Sequence, residues 1–293
     1  MTNTNERFVW NGLDGWPDGT NAVQELVVTG SVSTIPPAAS RLTVRSVTIV
    51  NDESLVSSIR DRAFQEFKEL LSVQIPPCVG HIGKGVFFGA GKLQSIDINK
   101  SRITQISKQL FQGCENLKTI CLPSTVVTIG ESAFEGCLKL ESIGMEENVE
   151  RIGKRAFAKC VKLKQVVVPK RFCEIGVEAF GGCSSLESVD FQTDKLRELP
   201  DEVFFHCSSL TIVEIPSGVE KIGEASFEGC TALVSLVVPE SLQHYGTYCY
   251  CNCPVLSAIE LSGSEEARQF HENDKYRSTV NISVSDDARG GLF

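Results

Sequence analysis

Hydrophobic positions recur along this chain at intervals of three, three and two residues, with polar side chains between them. Counted from a recurring cysteine, an aliphatic residue stands three places on, as at Leu117, Leu140, Leu163, Leu186, Leu210, Leu233 and Leu256. Six places on come Ile120, Ile143, Val166, Val189, Val213, Leu236 and Ile259. Eight on come Leu122, Met145, Val168, Phe191, Ile215, Val238 and Leu261. A spacing of two puts the last pair on one face of a strand and turns the residue between them outward. Pro123, Pro169, Pro216 and Pro239 follow at once and predict the strand's end, because proline has no amide to donate to a ladder. Next comes a pattern such as Val126-x-x-Ile129-Gly130, repeated at Val149–Gly153 and Val219–Gly223. Glycine after a buried isoleucine predicts a turn with positive φ. Each unit closes on Ala-Phe-x-Gly-Cys, as in Ala133–Cys137. Five residues are too few for an independent helix, so a single helical or 3₁₀ turn is expected there.

The whole phrase repeats. Cys114, Cys137, Cys160, Cys183, Cys207, Cys230 and Cys253 are separated by 23, 23, 23, 24, 23 and 23 residues. Self-similarity at this period predicts a solenoid, in which each unit buries its apolar face on its neighbours. One strand per coil at a fixed position predicts a parallel sheet with rungs about 4.8 Å apart. Phe87, Phe111, Phe134, Phe157, Phe180, Phe204 and Phe227, with Tyr250 last, should stack as an interior spine. Val23–Val28 and Val44–Ile49 read as earlier strands, and Ile282 and Val284 as a final one. The expected organisation is a capping segment over 1–22, a solenoid of about 12 rungs over 23–285 with its regular part at 63–262, and a tail over 286–293. Trp10 and Trp16 are expected to cover the open hydrophobic end, and Glu265–Phe270 to form a short capping helix.

Read from Cys114 to Gly136, the unit Cys-x-x-Leu-x-x-Ile-x-Leu-Pro-x-x-Val-x-x-Ile-Gly-x-x-Ala-Phe-x-Gly resembles the BspA-type (Treponema-pallidum-type) leucine-rich repeat. The resemblance covers residues 63–262. It implies an α/β repeat solenoid, a leucine-rich-repeat horseshoe or rod. Each coil of about 23 residues would carry one parallel strand, with short second strands and helical turns on the other side. It further implies protein–protein interaction or, in exported members, surface adhesion. Phe67 and Ala90 replace the cysteine in early rungs, Leu199-Pro200 replaces Ile-Gly in one unit, and Lys159 replaces glycine in another. These read as local adjustments of one fold.

Charge and composition narrow the function. The 293 residues carry a net charge of −9, which disfavours nucleic acid as a partner, since that needs a basic face. No apolar run approaches the roughly 18 residues of a membrane span, and Met1–Arg7 has no apolar signal core. A cytoplasmic location is therefore expected. There the cysteines, 12 in all, would be reduced, the ladder thiols lying buried in one column. Arg151, Lys154, Arg155, Lys159, Lys162, Lys164, Lys170 and Arg171 form a basic stretch. Shifting by one repeat sets Lys108, Glu131 and Lys154 in a row, as it does Lys118, Glu141, Lys164 and Glu187, Arg155 and Glu178, and Arg151 and Glu174. Pairing between neighbouring coils is expected to neutralise the band.

Candidate chemistry is sparse. Cys249, Cys251 and Cys253 with His244 hint at zinc, but Cys253 is a ladder cysteine and Cys249 stands where alanine is usual. A second cysteine pair is missing, so neither metal nor other cofactor is expected. His81, His206, His244 and His271 are scattered over different units, and no nucleophile–base pattern assembles, so no enzyme is expected. The residues seven past each anchor are the informative ones. Gln74, Asp97, Cys121, Val167, Asp190, Glu214, Val237 and Glu260 should point outward and vary in charge and size within a regular array. The reading is a monomeric, non-catalytic scaffold that binds another protein, one with a basic patch, over this sheet face. The alternative is a secreted or surface adhesion module of the same repeat family whose export signal is missing here. In that setting the sequons at Asn99 and Asn281 would matter.

Overall fold

The computed structural model describes residues 6–10, 23–29, 43–49, 57–65, 67–262 and 281–285. Trp16, Glu265–Phe270 and the 286–293 tail lie outside them, as does the side chain of Trp10. What is described is a parallel β-solenoid. Nine coils each carry two strands, from Ser46–Ile49 with Ser58–Ile59 to Ser235–Val238 with His244–Tyr245. Glu6–Trp10 and Val23–Val28 extend the first ladder at one end, and Ala258–Ser262 and Asn281–Ser285 at the other.

Register follows the repeat. Thr119 pairs with Ser142, Ile120 with Ile143 and Cys121 with Gly144. On the second ladder Gln105, Thr128, Arg151 and Glu174 lie side by side. The inward positions three, six and eight past the anchor fill the core, with Leu117, Ile120 and Leu122 between 0 and 3% exposed. The expected phenylalanine spine forms and begins one coil earlier, at Phe64. Its rings stack nearly parallel from Phe64 to Phe227, as between Phe134 and Phe157, whose centroids are 5.2 Å apart at 3°.

The helical turns expected at Ala-Phe-x-Gly-Cys do not form: among the described residues there is no helix. Hydrogen bonding supplies the reason. Around Phe134 the amides of Ala133, Glu135 and Cys137 donate to carbonyls three residues back, at 3.1–3.3 Å. The amides of Ser132, Phe134 and Gly136 donate instead to Lys154, Ala156 and Ala158 of the next coil, at 2.7–2.9 Å. Every second donor is thus turned out of the coil, which a helix cannot do. The alternation needs left-handed backbone at two places, Ser132 with φ 53° and Gly136 with φ 73°.

Positive φ was expected at the glycine after isoleucine, and the structure moves it. Gly130, Gly153, Gly176 and Gly223 are not left-handed; the left-handed glycine is the one before cysteine. The Ile-Gly glycine is there for space. A Cβ on Gly153 would lie 2.6 Å from the Glu131 nitrogen and 2.8 Å from the Gly130 carbonyl carbon, both backbone. The Gly153 amide donates to the Ile129 carbonyl at 2.7 Å, so the coils meet here backbone to backbone. At the other position Lys159, His206 and Asn252 tolerate left-handed φ without glycine.

The ladder cysteines take a defined part in the stacking. The thiols of Cys114, Cys137, Cys160, Cys183, Cys207, Cys230 and Cys253 each donate to the phenylalanine carbonyl of the preceding coil, at 3.1–3.2 Å. The Phe134 oxygen accepts both the Cys137 amide at 3.1 Å and the Cys160 thiol at 3.2 Å. Burial raises the pKa along the column, reaching about 12 at Cys183 and about 11 at Cys253.

Two coils hold an extra residue, Ala90–Cys114 and Cys183–Cys207 each spanning 24. In both the addition falls in the loop after the first strand, at Asn99–Arg102 and Gln192–Lys195, and Ser107 or Pro200 replaces the Ile-Gly glycine. The first ladder weakens beyond each, as it also does between Ser142–Gly144 and Gln165–Val168 of a regular coil. Ser95–Asp97 and Thr119–Cys121 fall into separate sheets, and Ser188–Phe191 meets Ile212–Glu214 only at Ser188 and Ile212.

Four measurements test this packing. Phe134→Ala should destabilise the chain by roughly 3–5 kcal/mol, as for a deleted core aromatic, and an unchanged denaturation midpoint would place that ring outside the spine. Gly153→Ala should cost about 1–3 kcal/mol from forced backbone displacement, while Gly136→Asn should be nearly neutral because Asn252 occupies the same position; the reverse order would overturn the two glycine roles. A thiol that holds its proton more tightly when folded contributes its full stability below about pH 8.5, the ordinary thiol value. That contribution falls as pH rises toward the folded values, so thiolate absorbance should appear together with loss of circular dichroism. At neutral pH a maleimide should label the exposed Cys121 and Cys173 and spare Cys137 until denaturant is added. A Cys137–Cys160 disulfide, or thiolate forming in the intact fold, would contradict this.

Candidate protein-binding face

Alternation on the first strand of each coil aims the residue between two core positions at solvent. Gln74, Asp97, Cys121, Val167, Asp190 and Glu214 are all exposed, and Val237 is half-buried. Glu260 continues the series by register, opposite Val237. Register sets Gln74 beside Asp97, Val167 beside Asp190, and Glu214 beside Val237. Gly144 lies beside Cys121 and leaves a gap in the column. Two places earlier runs a second column, mostly Ser72, Ser95, Thr119, Ser142 and Ser188, interrupted by Ile212. Ile212 is 57% exposed and Val167 44%, so the face mixes apolar and acidic groups.

The expected charge ladder forms only in part. Lys108 pairs with Glu131 at 2.5 Å, and Arg155 bridges Glu135 at 2.7 Å and Glu178 at 3.1 Å. Lys92–Glu69 and Lys221–Glu198 add two contacts of the same kind. Arg151 and Glu174 share register but make no ion pair; Arg151 instead donates to Thr128 Oγ1 at 3.0 Å. Arg151 and Arg171 lie 3.8 and 3.6 Å from Glu150, while Lys154, Lys164 and Lys170 have no ion-pair partner among the described residues, so pairing neutralises the band only in part. Their stems are long and exposed, and an ammonium in water gains little from a fixed partner.

Among the described residues a concavity opens where the longer coil Cys183–Cys207 breaks register. Ser188–Phe191 pairs with Gln165–Val168 over four residues, then parts from Ile212–Glu214 after one. Asp190 and Glu214, which a regular coil would set side by side, flank the opening. The cleft measures about 570 Å³. Val189, Phe191, Ile215 and Pro216 line its floor, with Asp190, Asp194, Glu214 and Lys170 around it. The loop is anchored on both sides. Gln192 N donates to Val168 O at 2.9 Å, Thr193 Oγ1 to Phe172 O at 2.7 Å, and Arg197 Nη1 to Asp194 O at 3.1 Å and Gly218 O at 3.0 Å. Asp190 and Glu214 were expected on this face; Asp194 was not. The signal for it was the 24-residue interval from Cys183 to Cys207, which lengthens the chain just where strand becomes loop.

Among the described residues His81, His206 and His244 stand on different coils; His271 lies outside them. Cys249 is buried and Cys251 and Cys253 half-buried, and among the described residues no three acidic, cysteine or histidine side chains are placed to hold a metal ion. No helix of the described residues is long and apolar enough to cross a membrane.

The repeat pattern agrees with known proteins. The BspA-type leucine-rich-repeat region matches residues 40–164 and 150–272, in six copies. No curated protein matches the chain. Among solved structures, the pneumococcal vaccine antigen PcpA is 17% identical and aligns over 94% of this chain and 83% of its own, with a TM-score of 0.52. A leucine-rich-repeat protein of T. pallidum is 22% identical over 84% of this chain and 89% of its own, with a TM-score of 0.43. A leucine-rich cell surface protein of Faecalibacterium prausnitzii is 22% identical over 77% and 89%, with a TM-score of 0.37. Identities this low speak to fold alone. With its repeat matched in six copies over residues 40–272, the chain belongs to the BspA-type leucine-rich-repeat family.

Proposed function

We propose that this protein is a non-catalytic scaffold, acting as a monomer, that binds another polypeptide over the outward column of its first ladder. One observation carries the reading: Gln74, Asp97, Cys121, Val167, Asp190 and Glu214 are exposed at equivalent places on successive coils, and their chemistry differs from coil to coil. The frame beneath them is stacked phenylalanine and hydrogen-bonded thiol, so the display is rigid and little ordering entropy opposes binding. Family membership supports the same class, since repeats of this type are commonly protein-binding or surface modules. Carboxylates at Asp97, Asp190 and Glu214 favour a partner with a basic patch and a salt-sensitive association rate. A cytoplasmic location is part of the proposal. Its support is the thiol column, whose contacts to carbonyls use the protonated form and would be lost on oxidation.

The test uses the face away from the cleft. Asp97→Lys combined with Val167→Lys should leave the melting temperature almost unchanged, because exposed substitutions stay within about 0.5 kcal/mol. Used as bait in source-cell extract beside the wild type, this variant should lose at least one polypeptide that the wild type retains. If both baits retain the same set at the same salt, the outward column is not the recognition surface.

A further inference from the structure

The cleft at the register break has a more specific chemistry than the face around it. The geometry points to a site for one basic side chain, arginine or lysine, of a bound polypeptide. This rests on the protein-binding reading above and names what that binding recognises at one coil.

Three features converge. The first is a preformed cavity. Its 570 Å³ falls within the ordinary range of ligand pockets, and both its walls are tied to neighbouring coils, by Thr193 behind and Arg197 in front. The second is the lining. Its surface is more polar than apolar, with Val189, Ile215 and Pro216 buried just beneath, so a cationic head finds polar groups and its aliphatic stem a short apolar stretch. The third is charge. Asp190, Asp194 and Glu214 outnumber Lys170 around the mouth, with Arg197 held at the backbone of Asp194, and among the described residues the carboxylates of Asp194 and Glu214 are in no ion pair or hydrogen bond. Only Asp190 is engaged, accepting from Gln192 Nε2 at 3.0 Å. The carboxylates are not drawn together as a metal requires. A planar or flexible organic cation, which can reach separated oxygens, fits where a small ion does not.

The other long coil sharpens the assignment. Ala90–Cys114 has the same extra residue in the same loop, but there Ser101 takes the place of Asp194 and Cys121 that of Glu214. The extra residue parts the strands in both coils; only the second surrounds the gap with carboxylates.

The experiment titrates the intact, methyl-labelled protein with capped arginine amide and follows the Val189 and Ile215 methyl resonances. These should shift saturably, while capped norleucine amide, which keeps the stem and lacks the charge, should not shift them. Asp194→Asn with Glu214→Gln should weaken the response about tenfold. Glu146→Gln with Glu147→Gln, which removes the same charge from exposed residues elsewhere, should leave it unchanged. Equal loss in that control would reduce the effect to net acidity and overturn the site. So would an equal response to norleucine amide, or calcium shifting the same methyls at lower concentration than arginine amide. Failure here leaves the outward column standing, because that is tested by Asp97→Lys with Val167→Lys; failure of the column with a saturable cleft response would separate the two in the other direction.

Discussion

Every second amide in the Ala-Phe-x-Gly-Cys turn donates to the neighbouring coil, and the rest of the structure depends on that arrangement. Ser132, Phe134 and Gly136 find their acceptors at Lys154, Ala156 and Ala158, one period ahead. A buried amide left unpaired costs on the order of 1–3 kcal/mol, so no coil is complete without its neighbour. Stability therefore resides between units, and the sequence must repeat because each coil serves as template for the next. The same constraint selects residue types. Glycine after isoleucine lets two backbones touch, left-handed positions turn the donors outward, and the phenylalanine ring covers the result.

Cysteine fits this scheme better than alanine would. The phenylalanine carbonyl has two lone pairs, and the amide three residues on satisfies one of them. A thiol from the next coil reaches the other. Such thiols are structural and inert, their protons held by burial. The chain carries 12 cysteines, and seven of them donate to the phenylalanine carbonyl of the coil before. Most of them are a packing solution copied once per coil.

The repetition is imperfect where a coil gains a residue. A perfect solenoid presents a featureless face, and an extra residue in one coil cannot be absorbed by a core at crystal-like density. It emerges in the loop after the strand, where Gln192–Lys195 bulges and the next strand swings away. At Ala90–Cys114 the same insertion ends in a buried hydroxyl, Ser101, bonded to its own turn at Ile98. At Cys183–Cys207 it opens a cleft walled by carboxylates, and the two outcomes differ by the side chains in the loop and on the next strand.

Much of this was legible in the residues alone. Periodicity determined the coil length, the parallel ladder, the inward positions, the phenylalanine spine and the outward column from Gln74 to Glu260, because a spacing of two in a strand admits one choice of face. What only the tertiary structure decided were contacts between units. The turn is not helical, since its donors are taken by the next coil; the Ile-Gly glycine is needed for clearance and not for positive φ; Arg151 passes over Glu174 for Thr128. The cleft belongs to the same class. A 24-residue interval announces that something must give, but whether Asp190 and Glu214 stay adjacent or part depends on how neighbouring strands settle the surplus, and that balance is struck in three dimensions.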